Sequence, residues 1–252
     1  MLIRSGIELG NLTDTGHHRD ENEDYYCYAE PESDEEFERK GRLAVIADGM
    51  GGHEGGQIAS SLAVERVRDT YLTYPSTDPR QALVAAFQAA HRAIQEYALE
   101  HPEFLGMGTT CTCAALKDHQ LYFGHVGDSR LYLNREGAIR LLTEDHSFVQ
   151  RLVRQGLLTP EAAAVHPDRN ILTAALGVEG AGEADFSEAP VPLQSGDVLI
   201  LCTDGLHGLV ADDELRAVTA GAPAAEACRE LVGLAKDRGG FDNITVQVLR
   251  VL

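Results

Sequence analysis

The sequence predicts an α+β layered fold, and three observations carry that prediction. Strand-like apolar runs outnumber helical patterns, the helical patterns cluster between groups of strands instead of alternating with them, and no Pro/Ser-rich linker or internal repeat divides the chain. With 252 residues, 44% of them hydrophobic, the chain can bury a substantial core and reads as one domain over 1–252.

In chain order, strand-like runs occupy 6–13, 24–29 and 43–47. Between the second and third lies EPESDEEFERK, residues 30–40, which holds much of the acidic excess and reads as a solvated loop. Two long helical patterns follow together at 56–71 and 79–100, with apolar residues recurring at three- and four-residue steps in the first. Strand-like runs then come at 109–116, 121–126, 129–134 and 139–143. From about 144 to 170 the chain changes character, with a short helical pattern around 148–155 and an Ala-rich turn near Pro160, and reads as an excursion from the core. A buried strand at 198–203, a helix near 223–238 and a strand at 244–252 complete the pattern.

Composition removes several classes of function. A net charge of -19 disfavours nucleic acid and anionic membrane as partners, because both reward lysine and arginine. Five cysteines, an odd number without a C-x-x-C pair, argue against a disulfide framework and a structural zinc site. Cys111 and Cys113, two apart on a strand, share one face and read as buried reduced thiols. MLIRSGIELG lacks the apolar stretch of a signal peptide and no apolar run is long enough to span a bilayer, so the expectation is a soluble, cytoplasmic protein.

The stretch RLAVIADGMGGHEGGQIAS, residues 42–60, drives an apolar strand into Asp48-Gly49, then more glycines, then a helix. Asp-Gly is a preferred hairpin turn, but no second strand follows. Gly51 and Gly56 have the outer spacing of a Walker loop, yet Gln57-Ile58 stand where that loop needs Lys and Ser or Thr, and a G-x-G-x-x-G pattern fails at Glu54. The device recurs in DVLILCTDGLHGLVADDE, where a buried strand meets Asp204-Gly205. LYFGHVGDSRLYL is interrupted at Gly127-Asp128, GGFDNITVQVL puts Asp242-Asn243 at the entrance to the last strand, and RDENEDYY sets Arg19, Glu23 and Asp24 before an early one.

One Asp beside a turn has an ordinary structural role. Several at strand ends that converge would face each other as like charges and require protons or cations. Oxygen donors without a histidine or cysteine cluster suit Mg²⁺ or Mn²⁺ and disfavour zinc, and no segment has EF-hand spacing. A Gly after the Asp lets its carbonyl and hydrating waters approach closely. Adjacent His17 and His18 point apart on a strand, and most other histidines are scattered singly.

Taken in order, RDENED, ADGMGGHEGGQIAS, GTTCTCAAL, GHVGDSRLYL, LTEDHS, RNILTAALG, LCTDGL and FDNITVQVL resemble the bacterial branch of the PP2C-type metal-dependent protein phosphatases, over essentially the whole chain. The resemblance implies a four-layer α-β-β-α sandwich of two antiparallel sheets flanked by paired helices, a binuclear metal centre at one end, and a flap over about 144–170. It implies that Asp48 bridges two Mn²⁺ or Mg²⁺ ions, that the Gly49 carbonyl binds the second, and that Asp204 and Asp242 complete the ligands of the first. Glu23 and Asp24 match acids acting near the metals, partly through water. Asp128 matches the acid of a third, weaker ion that it shares with Asp204, and Arg19 matches the phosphate-binding arginine. Two departures stand out: Met50 occupies the place of a His that donates a proton in many non-bacterial relatives, leaving His53 as the nearby candidate, and Ala175 stands where many bacterial relatives carry arginine.

The activity implied is hydrolysis of phosphoserine and phosphothreonine in proteins by metal-activated water, with no serine or cysteine nucleophile, by a monomer whose substrates come from a serine/threonine kinase. Two alternatives on the same fold are a pseudophosphatase that binds phosphoproteins and a phosphatase of small metabolites.

Overall fold

The computed structural model describes residues 4–51, 54–180 and 182–252. Along the chain run β1 (Ile7–Asp14), β2 (Asp24–Ala29), α1 (Asp34–Lys40), β3 (Arg42–Met50), α2 (Glu54–Thr73), α3 (Pro79–Glu100), β4 (Gly108–Thr109), β5 (Cys111–Lys117), β6 (Gln120–Val126), β7 (Arg130–Arg135) and β8 (Ala138–Leu141). There follow α4 (Phe148–Arg154), α5 (Pro160–Ala164), β9 (Asp185–Phe186), β10 (Val191–Pro192), β11 (Val198–Cys202), α6 (Asp204–His207), α7 (Asp212–Gly221), α8 (Ala224–Asp237) and β12 (Ile244–Val251).

The strands form two antiparallel sheets, a five-stranded one ordered β1-β12-β11-β7-β8 and a seven-stranded one ordered β10-β6-β5-β3-β2, with β4 joined to β3 and β9 to β6. Strand periodicity of two explains the layering. In β11, Val198, Ile200 and Cys202 face one apolar cluster together with Leu215 of α7 and Leu231 of α8, while Leu199 and Leu201 face another. In β3, Leu43, Val45 and Ala47 join the cluster under α2 and α3, and Ala44 and Ile46 meet Leu199, Leu201 and Leu249 between the sheets. Strands buried on both faces read as continuous apolar runs, because neither face needs polar residues. The result is a helix-sheet-sheet-helix stack. Cys111 and Cys113 lie on one face of β5, buried and free, as their spacing requires.

Three local departures from the sequence reading have physical causes. The acidic stretch expected as a loop contains helix α1, because Ser33 Oγ caps it by accepting from Glu36 N–H, and Asp34, Glu35 and Glu36 open it while Arg39 and Lys40 close it. Phe37 then seats between the Arg4 and Arg42 guanidinium groups, 4.7 and 4.8 Å from its ring centre. Residues after the 198–203 run, which carry no clear periodicity, form α6 and α7. The run at 109–116 is broken at Thr110, whose N–H donates to the Asp48 carbonyl while its hydroxyl accepts from the Asp48 N–H.

Gly127-Asp128-Ser129, where the sequence pattern is interrupted, carries the chain from β6 in one sheet to β7 in the other. The 144–170 excursion holds α4 and α5, capped by Ser147 and Thr159. Its base is tied to the core: Arg130 grips Asp145 through two hydrogen bonds of 2.9 and 2.7 Å, and buried His125 donates from Nε2 to the Glu144 carbonyl. Among the described residues no helix is long and apolar enough to cross a membrane.

Leu201 is fully buried between the sheets. Leu201→Ala is expected to lower the unfolding free energy by about 2–5 kcal/mol, the range for a core leucine that leaves a cavity. Urea denaturation with an unchanged slope checks this; a loss below 1 kcal/mol would mean the sheets close over the gap.

Candidate metal centre

The antiparallel register of β2 and β3 puts Asp24 opposite Asp48. Like charges on opposed strand residues repel, so this pairing needs outside support. Asp48 has a fixed backbone, because the Thr109 hydroxyl and Thr110 N–H both donate to its carbonyl. The next residue, Gly49, donates its N–H to the Glu23 carbonyl at 3.1 Å. A Cβ on Gly49 would lie 2.0 Å from the Gly56 carbonyl oxygen, and one on Gly56 would lie 2.7 Å from the Glu23 carboxyl carbon. The glycines of ADGMGGHEGG therefore let the start of α2 press directly onto the end of β3 and onto Glu23.

From the other sheet, β11 delivers Thr203 and Asp204 at the start of α6. The Thr203 hydroxyl donates to Asp24 Oδ2 at 2.9 Å, tying the two sheets together at the acids. Asp242 precedes β12 and accepts from Arg19 Nη2 at 2.8 Å. Asp128 lies in the crossover turn, where its carbonyl accepts from His207 Nε2 at 2.9 Å. Gly127 has φ +103°, and a Cβ there would meet Thr110 Cβ at 2.6 Å.

Arg19, Glu23, Asp48, Gly49, Asp128, Asp204 and Asp242 all line one cavity of about 640 Å³. Met50 and Ala175 line it too. Asp24 does not; it is buried behind the rim, against Thr203. Arg19, expected to meet phosphate, is half exposed and paired with Asp242. His53 lies outside the described residues.

The acids resist ionisation in this setting. Burial, reinforced by the charges of Asp204 and Asp242, raises Asp24 to about 7. Burial and the Asp242 charge raise Asp204 to about 6, against a hydrogen bond with Asp48. Asp48 is pushed well above the carboxylate range by burial, then by Asp24 and Asp204, and Asp128 by burial, then by Asp204. Asp24 Oδ1 and Asp204 Oδ1 are buried without a hydrogen-bond partner. Orphaned carboxylate oxygens beside a cavity lined by oxygen donors fit a hard divalent cation. Among the described residues no three His, Cys, Asp or Glu side chains close into a ready-made chelating group.

The sequence profile of the family described as protein phosphatase 2C matches residues 30–237. This chain belongs to the protein phosphatase 2C family. With that membership it is an enzyme of the metal-dependent protein phosphatase class. Protein phosphatase PhpP of Streptococcus pneumoniae is 36% identical over 249 residues, covering 96% of this chain and 97% of that protein. The Mycobacterium tuberculosis serine/threonine phosphatase PstP/Ppp superposes with a TM-score of 0.86 at 34% identity, over 98% of this chain and 99% of that one. The catalytic domain of PstP solved with two manganese ions gives a TM-score of 0.84 at 33% identity, over 98% and 99% of the two chains.

Sequence reasoning missed the side chains that hold this acid-lined cavity in shape. Asn243 Oδ1 accepts from Glu23 N–H, and its Nδ2 donates to the carbonyls of Thr15 and Glu21, so one amide pins the loop that carries Arg19. His207 does the same for the Asp128 turn. Burial lowers its pKa to about 4, so the ring is neutral, and the carbonyl of Asp128 fixes its single N–H on Nε2. The signal for Asn243 was present in the Asp-Asn pair before the last strand; nothing adjacent to His207 marks it.

These raised carboxyl pKa values fix a sign. At these acids the metal-free folded chain binds more protons than the unfolded chain, so their own contribution to stability is lost as pH rises from about 4 through 6–7, while the depressed pKa values of buried His125 and His207 act with the opposite sign over the same range. Scanning calorimetry of metal-free protein should show a melting temperature that declines between pH 5 and pH 8 more steeply than in Asp48→Asn, with Mn²⁺ raising it most at pH 8. Parallel pH curves for the two proteins would mean the acids are neutralised by other groups.

Proposed function

We propose that the chain is a serine/threonine protein phosphatase whose reaction takes place at the cavity ringed by Asp48, Asp128, Asp204, Asp242 and Arg19. The observation that carries this reading is the meeting of carboxylates from both sheets with one guanidinium at a single opening. In this reading Asp48, the Gly49 carbonyl, Asp204 and Asp242 hold two divalent cations, as PstP was solved with two manganese ions. Asp128 with Asp204 holds a third, weaker one, and Glu23 and Asp24 act on hydrating water. Bound there, the cations supply Lewis acidity that turns water into a nucleophile near neutral pH and offsets phosphoryl charge.

The chain's own groups do the rest. Thr109 and Thr110 fix the Asp48 backbone, so the carboxylate is oriented before substrate arrives. Thr203 holds Asp24 in place and thereby the mutual distance of the two sheets at the site. Arg19 uses one N–H on Asp242 and keeps further donors for phosphoryl oxygens, since a guanidinium carries five. His53 is the group proposed to protonate the departing alkoxide. The chain acts as one domain over 1–252, with 144–170 as a flap beside the cavity, on phosphorylated proteins in the cytoplasm and as a monomer.

Purified protein is expected to release phosphate from phosphothreonine peptides with Mn²⁺ or Mg²⁺ and to stop when the metal is chelated. Asp48→Asn and Asp242→Asn should each lower kcat by about 10²-fold or more and weaken calorimetric Mn²⁺ binding, with circular dichroism unchanged. Full turnover in excess chelator, or wild-type metal binding by both variants, would refute the mechanism.

Arg19→Ala is expected to cost about 1.5–3 kcal/mol in kcat/KM, most of it through KM, on both phosphopeptides and aryl phosphates. Steady-state kinetics check this, and unaltered constants on both substrates would remove Arg19 from phosphate binding.

A further inference from the structure

A second cavity, of about 400 Å³, continues from the first: Asp128, Asn170, Asp204 and Asp242 line both. It runs between the α4–α5 segment, which contributes Val149 and Ala163, and the end of α6, with Leu209 and Phe241 on the far wall. Val149 and Ala163 are buried, whereas Phe241 is 60% exposed. A solitary exposed aromatic is ordinary on a protein surface. Phe241 differs in being held. Its ring packs on His18, with centres 5.1 Å apart, and a Cβ on Gly239 would lie 2.4 Å from the ring. Gly239 has φ +123°, a backbone state that suits glycine, so the chain bends to give the ring its seat. His18 precedes Arg19, and Phe241 precedes Asp242, so the ledge is built from the same two loops as the Arg19–Asp242 pair.

Resting on the phosphatase reading above, we propose that Phe241 is a specificity-determining residue that receives an apolar side chain flanking the phosphorylated residue of a protein substrate. Consecutive Cα atoms are about 3.8 Å apart, and an extended peptide advances about 3.3 Å per residue. A phosphorylated side chain at the Asp242 rim therefore leaves the neighbours one or two residues away within reach of the Phe241 ring when the peptide runs along the second cavity. The cavity is continuous with the phosphate opening, so the occupant that reaches both is a single peptide. A ring already stacked on His18 gives up less freedom on contact than a ring with no neighbour, which favours the contact.

The test uses the Mn²⁺-loaded protein, phosphothreonine peptides that are otherwise alanine, a set with one leucine scanned over the two residues on either side of the phosphothreonine, and p-nitrophenyl phosphate. Wild-type kcat/KM should favour the best leucine peptide over the all-alanine peptide by about tenfold, with the difference in KM. Phe241→Ala should reduce that ratio to below about twofold, and Phe241→Leu should keep most of it. Absence of the preference in the wild type, its survival in Phe241→Ala, or an equal loss by that variant on all three substrates would overturn the assignment. If p-nitrophenyl phosphate is hydrolysed without any flanking preference, the ledge falls and the phosphatase reading stands; if the wild type hydrolyses no ester, both fall.

Discussion

Asp24 and Asp48 stand opposite each other on adjacent strands, with Asp204 and Asp242 close enough to disturb their ionisation. A native structure that crowds carboxylates in this way is held against its own electrostatics. Everything around the crowding opposes the separation that repulsion favours. Thr203 bridges from one sheet to Asp24 on the other, Thr110 clamps the Asp48 backbone, and Asn243 fastens the Arg19 loop to the entrance of β12. Stability elsewhere, in two sheets buried on both faces, is what permits such a site to persist.

The same constraint accounts for the glycines. Gly49 and Gly56 meet backbone to backbone, and Gly127 turns against Thr110 with a positive φ, so that no side chain stands between the acids and the segments that position them. Larger residues at these places would push α2 or the crossover turn outward and spread the acids apart. Rigidity at the rim coexists with an excursion, 144–170, that is anchored at its base by Arg130–Asp145 and His125 yet presents two short helices to the second cavity. The protein thus joins a rigid acid-lined opening to a more elaborated neighbouring groove.

Much of the fold was legible in the sequence, because strands buried on both faces and helices with a single apolar face leave distinct periodicities. Asp48, Asp204 and Asp242 could be singled out since each stands at the end or the entrance of an apolar run, beside a glycine or an asparagine. Helix α1 was hidden by composition: its acids looked like solvated loop, although Ser33 at one end and Arg39 and Lys40 at the other are capping signals. Asp24 was named among the acids, but its seat behind the cavity rim could not be foreseen.

What the sequence determined by itself was local: which segments bury a face, where those segments stop, and which carboxylates stand at the stops. Only the tertiary structure decided that β6 and β7, three residues apart, belong to different sheets, that Thr203 reaches Asp24 from 179 positions away, and that Phe241 and His18 form one ledge. The physical reason is range. Periodicity and capping act over a few residues and leave their mark in the local pattern, whereas hydrogen bonds and ring contacts between distant segments come into being when the two sheets stack and bring their ends to one opening.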